Sequence, residues 1–245
     1  MNNLDNKTDL ILNDLASEDI DVKVNASVLL LNNSIYFELK ENPSEEELLI
    51  KLLKIEELKT EEDLLFLKKC ISYKRNRVLD ISTYLLGELL KKSLFIDLFS
   101  DTYSLNAFID TLNGTTPNVC RNTINILKYI DNPLFVLDEL FGKLNDLTMT
   151  QLYWSLSAIR EIIKREDLTL TEETLKQLIN ISDVFINNKE YQIREKVAEI
   201  VSVLTIKYKT TEVKNELNRL IDVIRKDNVF YVKNILTMND LQGET

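Results

Sequence analysis

The sequence predicts an all-α fold, a right-handed solenoid (α-α superhelix) of about five or six stacked helical hairpins, and three observations carry that prediction. Apolar residues recur at i, i+3, i+4 and i+7 through nearly every segment, whereas strict alternation over a strand length is rare. Only 4 Gly and 3 Pro occur in 245 residues, too few for the tight turns of an all-β architecture. Short polar turns separate the apolar segments and bring the helices out in pairs. With 44% hydrophobic residues the chain has ample apolar surface for a sizeable core.

Taken in order, the first pair is expected at residues 4–16 and 20–38. A helix at 44–58 precedes 60–71 with 74–92, then 103–113 with 117–130 and 133–145 with 148–165. The series closes with 171–187 and 190–208, then 211–226 and 228–238. The segment Gln192–Tyr208 shows the reasoning: Ile193, Val197, Ile200, Val201 and Leu204 form one stripe, with Arg194, Glu195, Lys196 and Glu199 off it. So short a helix is marginal alone, and its apolar stripe must be buried against neighbours. No long linker interrupts the series, so residues 1–245 are expected to form one helical-repeat domain with a short flexible tail at 239–245.

Helix starts are marked by small polar residues whose oxygens can accept from the first free N–H groups, with acids favoured by the helix dipole. Ser44 and Glu47 have capping-box spacing directly after Pro43, and Thr60-Glu61-Glu62-Asp63, Thr171-Glu172-Glu173 and Thr211-Glu212 read as further starts. These acidic clusters need no metal to explain them. Consecutive helical residues fan around the axis by about 100° each, so Glu45, Glu46 and Glu47 would not converge on an ion.

The second helix of several pairs opens alike, with Val22-Lys23-Val24, Asn76-Arg77-Val78, Cys120-Arg121-Asn122 and Ile193-Arg194-Glu195. Setting Lys23, Arg77, Arg121, Tyr153, Arg194 and Tyr231 in register gives steps of 54, 44, 32, 41 and 37 residues. These scatter about the roughly 40–47 residues of HEAT and armadillo units. On these residues the chain resembles the HEAT/armadillo-type helical-repeat family, in which a Val-Arg-like pair begins the second helix of each hairpin. The resemblance covers almost the whole chain, but Tyr153 and Tyr231 replace the basic residue in two units, and a turn Asp is plain only at Asp19 and Asp21. A plain helical bundle would show the same periodicity and remains the alternative.

Charge is unevenly placed. Residues 1–63 hold 6 Lys/Arg against 16 Asp/Glu, so the whole net charge of −10 lies there and residues 64–245 balance. That acidic part reads as a solvated face with capping acids, or as a patch that repels nucleic acid and receives a basic protein.

The chain contains no histidine, which removes the commonest general base near neutral pH and the commonest metal ligand. Glycines only at 87, 114, 142 and 243 leave no phosphate-binding loop and no dinucleotide fingerprint. Cys70 and Cys120 read as buried structural thiols, although Lys68 and Lys69 beside Cys70 could activate it. Neither a secretory leader nor an apolar run of about 18 residues is visible, so a cytoplasmic protein with no membrane contact is expected.

Lys74, Arg75 and Arg77, beside Tyr73, form the densest basic cluster; Arg121, Arg160, Lys164, Arg165, Arg194 and Lys233 could extend it into a nucleic-acid stripe. Charge balanced by neighbouring acids is the plainer reading, and nucleic acid is not an expected partner. Some HEAT-like solenoids are DNA glycosylases, a likeness of architecture only. Trp154, the sole tryptophan, reads as a packed core residue more readily than as a lesion-site aromatic.

In HEAT solenoids the second helices line the concave surface, and the resemblance implies partner-binding positions there: Arg77, Arg121, Tyr153, Trp154, Tyr191, Arg194 and Tyr231. The expected function is a non-catalytic scaffold or adaptor that binds a protein partner, with no cofactor and no metal. An acidic immunity- or antitoxin-like inhibitor of a basic toxin is the alternative.

Overall fold

The computed structural model describes Val22 and residues 76–91, 102–113, 116–208 and 213–240. The pairs expected before residue 72, with Lys23, Cys70 and the acids of residues 1–63, lie outside the described residues, as do Lys74, Arg75, Thr211 and residues 241–245. All described elements are helical. They divide into two compact units, one of Met1–Thr111 with Thr115–Asp131, the other of Leu112–Gly114 with Asn132–Thr245.

The first unit contains α1 (Asn76–Lys91), α2 (Thr102–Ile109) and α3 (Pro117–Tyr129); the 3-10 turn Asp110–Asn113 that follows α2 is divided between the two units. Thr116 caps α3 by accepting from the Val119 N–H at 3.2 Å, and Pro117 supplies a residue whose missing N–H costs nothing in a first turn. α1 and α3 pack on each other, and Val78, Leu79 and Leu86 on α1 and Ile126 and Leu127 on α3 are buried. A polar clasp fixes their register: the Asn122 amide donates to the Asp80 carbonyl at 3.2 Å and to Asp80 Oδ1 and Thr83 Oγ1 at 3.3 Å each. Cys120 is fully buried, as expected, and its Sγ donates to the Thr111 carbonyl at 3.9 Å.

The second unit holds α4 (Pro133–Lys143), α5 (Met149–Ile163), α6 (Glu172–Phe185), α7 (Tyr191–Lys207), α8 (Lys214–Arg225) and α9 (Phe230–Asp240). Consecutive helices pair as α4–α5, α6–α7 and α8–α9, while the second helices pack in series, α5 on α7 and α7 on α9. First helices α6 and α8 also touch, bridged by Arg219 Nη2 to Asp183 Oδ1 at 2.8 Å. Hairpins stacked in this order make an all-α solenoid, the class the sequence predicts.

Local chemistry explains the boundaries. Asn132 accepts from the Phe135 N–H before Pro133, Thr171 accepts from the Thr174 N–H, and Thr148 with Gln151 closes a reciprocal capping box. α8 begins at Lys214 after a buried Val213 that makes no side-chain cap, and the expected start at Thr211-Glu212 lies outside the described residues. α9 runs to Asp240, into the tail expected from residue 239. All five stripe residues of α7 are buried, and Ala198, Ser202 and Val203 are buried as well. α7 is enclosed on most sides because it has helices on both flanks as well as its hairpin partner.

Gly142, near the end of α4, is exposed, and a Cβ built there meets nothing within 4 Å. Gly142→Ala should therefore raise the unfolding free energy by about 0.5–1 kcal/mol, through helix propensity and a less free unfolded chain. Denaturant titration at fixed pH measures it as a higher midpoint at an unchanged slope.

Candidate functional site

The direction of the second helices decides what they present together. Lys196 Nζ sits 5.4 Å from the centre of the Tyr153 ring, and Arg160 Nε lies 3.4 Å from Glu199 Oε2. Early residues of α5 thus meet early residues of α7, and later ones meet later ones, so the two helices run parallel. Arg194, in the first turn of α7, reaches Asp227 and Asn228 just ahead of α9. The starts of α5, α7 and α9 consequently share one end of the second unit.

Aromatic side chains collect there. Tyr153 and Trp154 stand edge to face with centroids 5.1 Å apart, both half-buried. Tyr191 opens α7 at 39% exposure. Phe230 and Tyr231 open α9 as another edge-to-face pair, 6.0 Å between centroids, at 60% and 65% exposure. Trp154 is therefore not enclosed in the core as the sequence suggested, because the packing face of α5 is carried by Leu152, Ser155, Leu156 and Ile159.

Arg194 belongs to the same end but serves the fold. Its Nε donates to Asp227 Oδ2 at 2.6 Å and its Nη2 to Asp227 Oδ1 at 3.1 Å, while Nη1 donates to the carbonyls of Asn188 at 2.8 Å and Lys189 at 3.2 Å. The guanidinium ties the α6–α7 turn to the α8–α9 turn, and the two side chains are only 14% and 10% exposed. The hydrogen bond from Arg194 holds the Asp227 carboxyl below its ordinary range; the Val229 N–H, 2.8 Å from Oδ1, acts in the same direction against the opposing effect of burial.

Arg77 lies in the first turn of α1 and Arg121 in the second turn of α3, where Arg121 is exposed and donates to Asn118 Oδ1 at 3.3 Å. Both belong to the first unit, whereas Tyr153, Trp154, Tyr191, Arg194 and Tyr231 belong to the second. Phe230 was missed. It directly precedes Tyr231, and an aromatic doublet at a helix start was the available signal.

The imagined basic stripe is largely neutralised inside the second unit. Arg160 pairs with Glu161 and Glu199, Lys164 lies 3.7 Å from Glu161, and Arg165 lies 2.6 Å from Asp167. Among the described residues no group of three or more acids and cysteines is placed to hold a metal ion, and no helix is long and apolar enough to cross a membrane.

No protein-family profile and no curated protein matches the chain. Solved structures do resemble it. A designed armadillo repeat protein in complex with the peptide (KR)4 aligns at 12% identity and a TM-score of 0.49, covering 96% of this chain and 98% of that one. An engineered protein also aligns at 12% and 0.49, covering 98% and 97%, and a second designed armadillo repeat protein at 11% and 0.46, covering 94% and 96%. The fold class stands on the hairpin packing described above, independently of these distant likenesses.

Proposed function

We propose that the chain is a non-catalytic recognition module that binds a protein partner, and that the end of the second unit formed by the starts of α5, α7 and α9 carries the contact. The observation behind this reading is the group Tyr153, Trp154, Tyr191, Phe230 and Tyr231 at one end of parallel helices. Aromatic residues supply large contact area at little rotamer cost and are enriched where binding energy concentrates. A stack of hairpins suits this use, since each hairpin adds one helix start to a continuous surface. The expected role of Arg194 shifts accordingly: it positions two turns and is not itself an anchor. Lack of histidine throughout the chain supports the non-catalytic reading, because it removes the usual neutral-pH acid–base group.

The test is quantitative affinity capture from native cell extract with the full chain and with a Tyr191→Ala/Phe230→Ala/Tyr231→Ala variant. All three side chains are exposed, so the variant should melt as the parent does. A partner held by the parent should be recovered at least about tenfold less by the variant, the size expected from losing one anchor worth more than 1.4 kcal/mol. Equal recovery of every captured protein would remove this surface from consideration.

A further inference from the structure

On the opposite side of the hairpins from α5 and α7, the first helices α4 and α6 are held apart by a groove of about 740 Å³. Each helix turns one face into it. α4 contributes Leu134, Asp138 and Phe141 at helical spacing, and α6 contributes Glu173, Ile181 and Val184. Phe141 and Ile181 remain half-buried, and Val184 is 67% exposed, so an apolar strip stays uncovered in the folded chain. α6 and α8, by contrast, touch and are tied by the Arg219–Asp183 bridge.

The polar groups on the groove are one-sided. Asp138 and Glu173 face it from its two walls, and among the described residues no lysine or arginine lines it. Partial burial raises the affinity of the Asp138 carboxyl for a proton, and the nearby charges of Glu173 and Glu139 act in the same direction. An apolar floor flanked by two acids, with no cation among the described lining residues, is complementary to an apolar segment that carries cations.

We propose that the groove between α4 and α6 docks a basic amphipathic helix of a partner protein, its apolar face against Phe141, Ile181 and Val184 and its lysines or arginines beside Asp138 and Glu173. An α4 of 11 residues gives a wall about 16 Å long, room for about three turns of docked helix. A helix laid between two helices is a recurring recognition mode, with anchors spaced i, i+3, i+4 and i+7. This surface is separate from the aromatic end, so it stands or falls independently of that reading.

The probe is a fluorescein-labelled peptide of about 14 residues, leucine and lysine patterned as an amphipathic helix, with a leucine/glutamate peptide of the same pattern as control. Anisotropy is read with the full chain at about 0.15 M salt, where long-range attraction is screened. The Leu/Lys peptide should bind, and the Leu/Glu peptide should bind at least about tenfold more weakly. Asp138→Lys/Glu173→Lys and Val184→Asp should each weaken the Leu/Lys peptide at least about fivefold; Glu173 stands in the first turn of α6, so its charge reversal should also lower stability, and binding is read at a temperature where circular dichroism shows each variant folded. Glu216→Lys/Asp222→Lys on α8 alters the net charge equally away from the groove and should leave binding within about twofold, as should Tyr191→Ala/Phe230→Ala/Tyr231→Ala. Absence of binding, or equal loss in the two charge-reversed variants, overturns the proposal. So does a concentration-dependent dimer of the chain that Val184→Asp abolishes, since the groove would then be filled by a second copy.

Discussion

Arg194→Ala is expected to lower the unfolding free energy by about 3 kcal/mol, because it strands a nearly buried carboxylate and frees two backbone carbonyls at once. Arg194→Lys should recover only part of this, since an ammonium cannot reproduce the two-point contact with Asp227 that the guanidinium makes through Nε and Nη2. The same pair predicts a pH dependence. Asp227 is lowered below its ordinary value of 3.8 in the folded chain, chiefly by the Arg194 hydrogen bond. An acid with a depressed folded pKa contributes stability that is fully present above the unfolded value and is lost as pH falls through the lower folded value. Between neutral pH and 5 the contribution should therefore be constant, and below about 4 it should decline toward zero. Asp227→Asn should flatten that acid limb relative to the parent. Equal slopes of stability against pH for parent and variant, measured by urea titration, would show that the pair is not formed.

Leu204→Ala is expected to cost about 3–5 kcal/mol, the upper part of the range for a fully buried leucine, because its surroundings cannot collapse into the cavity. Leu204 is 0% exposed in α7, which packs against α5, α6, α8 and α9. The matched change Leu236→Ala lies in α9, where the residue is 7% exposed and where, among the described helices, packing is chiefly on α7 and α8. It should cost about 2 kcal/mol, near the lower end of the same range. Thermal unfolding followed by circular dichroism separates the two. Equal costs would mean that α7 is not the central element of the second unit.

Periodicity and caps made the helices legible from sequence. The expected 148–165 and 190–208 appear as Met149–Ile163 and Tyr191–Lys207, because Thr148 closes a capping box and the α7 stripe is buried as read. Repeat register was less legible. Arg121 follows buried Cys120, Tyr153 follows Leu152 and Arg194 follows Ile193, but in α9 the first buried residue is Val232, so Lys233 and not Tyr231 holds the matching position. A Phe-Tyr-Val start disguises that shift, since three apolar residues in a row do not say which one turns inward. The commitment of Arg194 to the fold could not be read at all: its partner Asp227 is 33 residues away and is brought near only when α8 and α9 stack on α7. Similarly, the groove between α4 and α6 depends on how far two helices splay, and periodicity reports only which face of each is apolar.

The most direct measurement is amide hydrogen exchange of the full chain, alone and saturated with the protein recovered by capture. The expected footprint is slowed exchange over residues 149–156, 190–196 and 229–234, the starts of α5, α7 and α9. Protection confined to the first helices of the hairpins, with exchange at those three starts unchanged, would contradict recognition through the aromatic end.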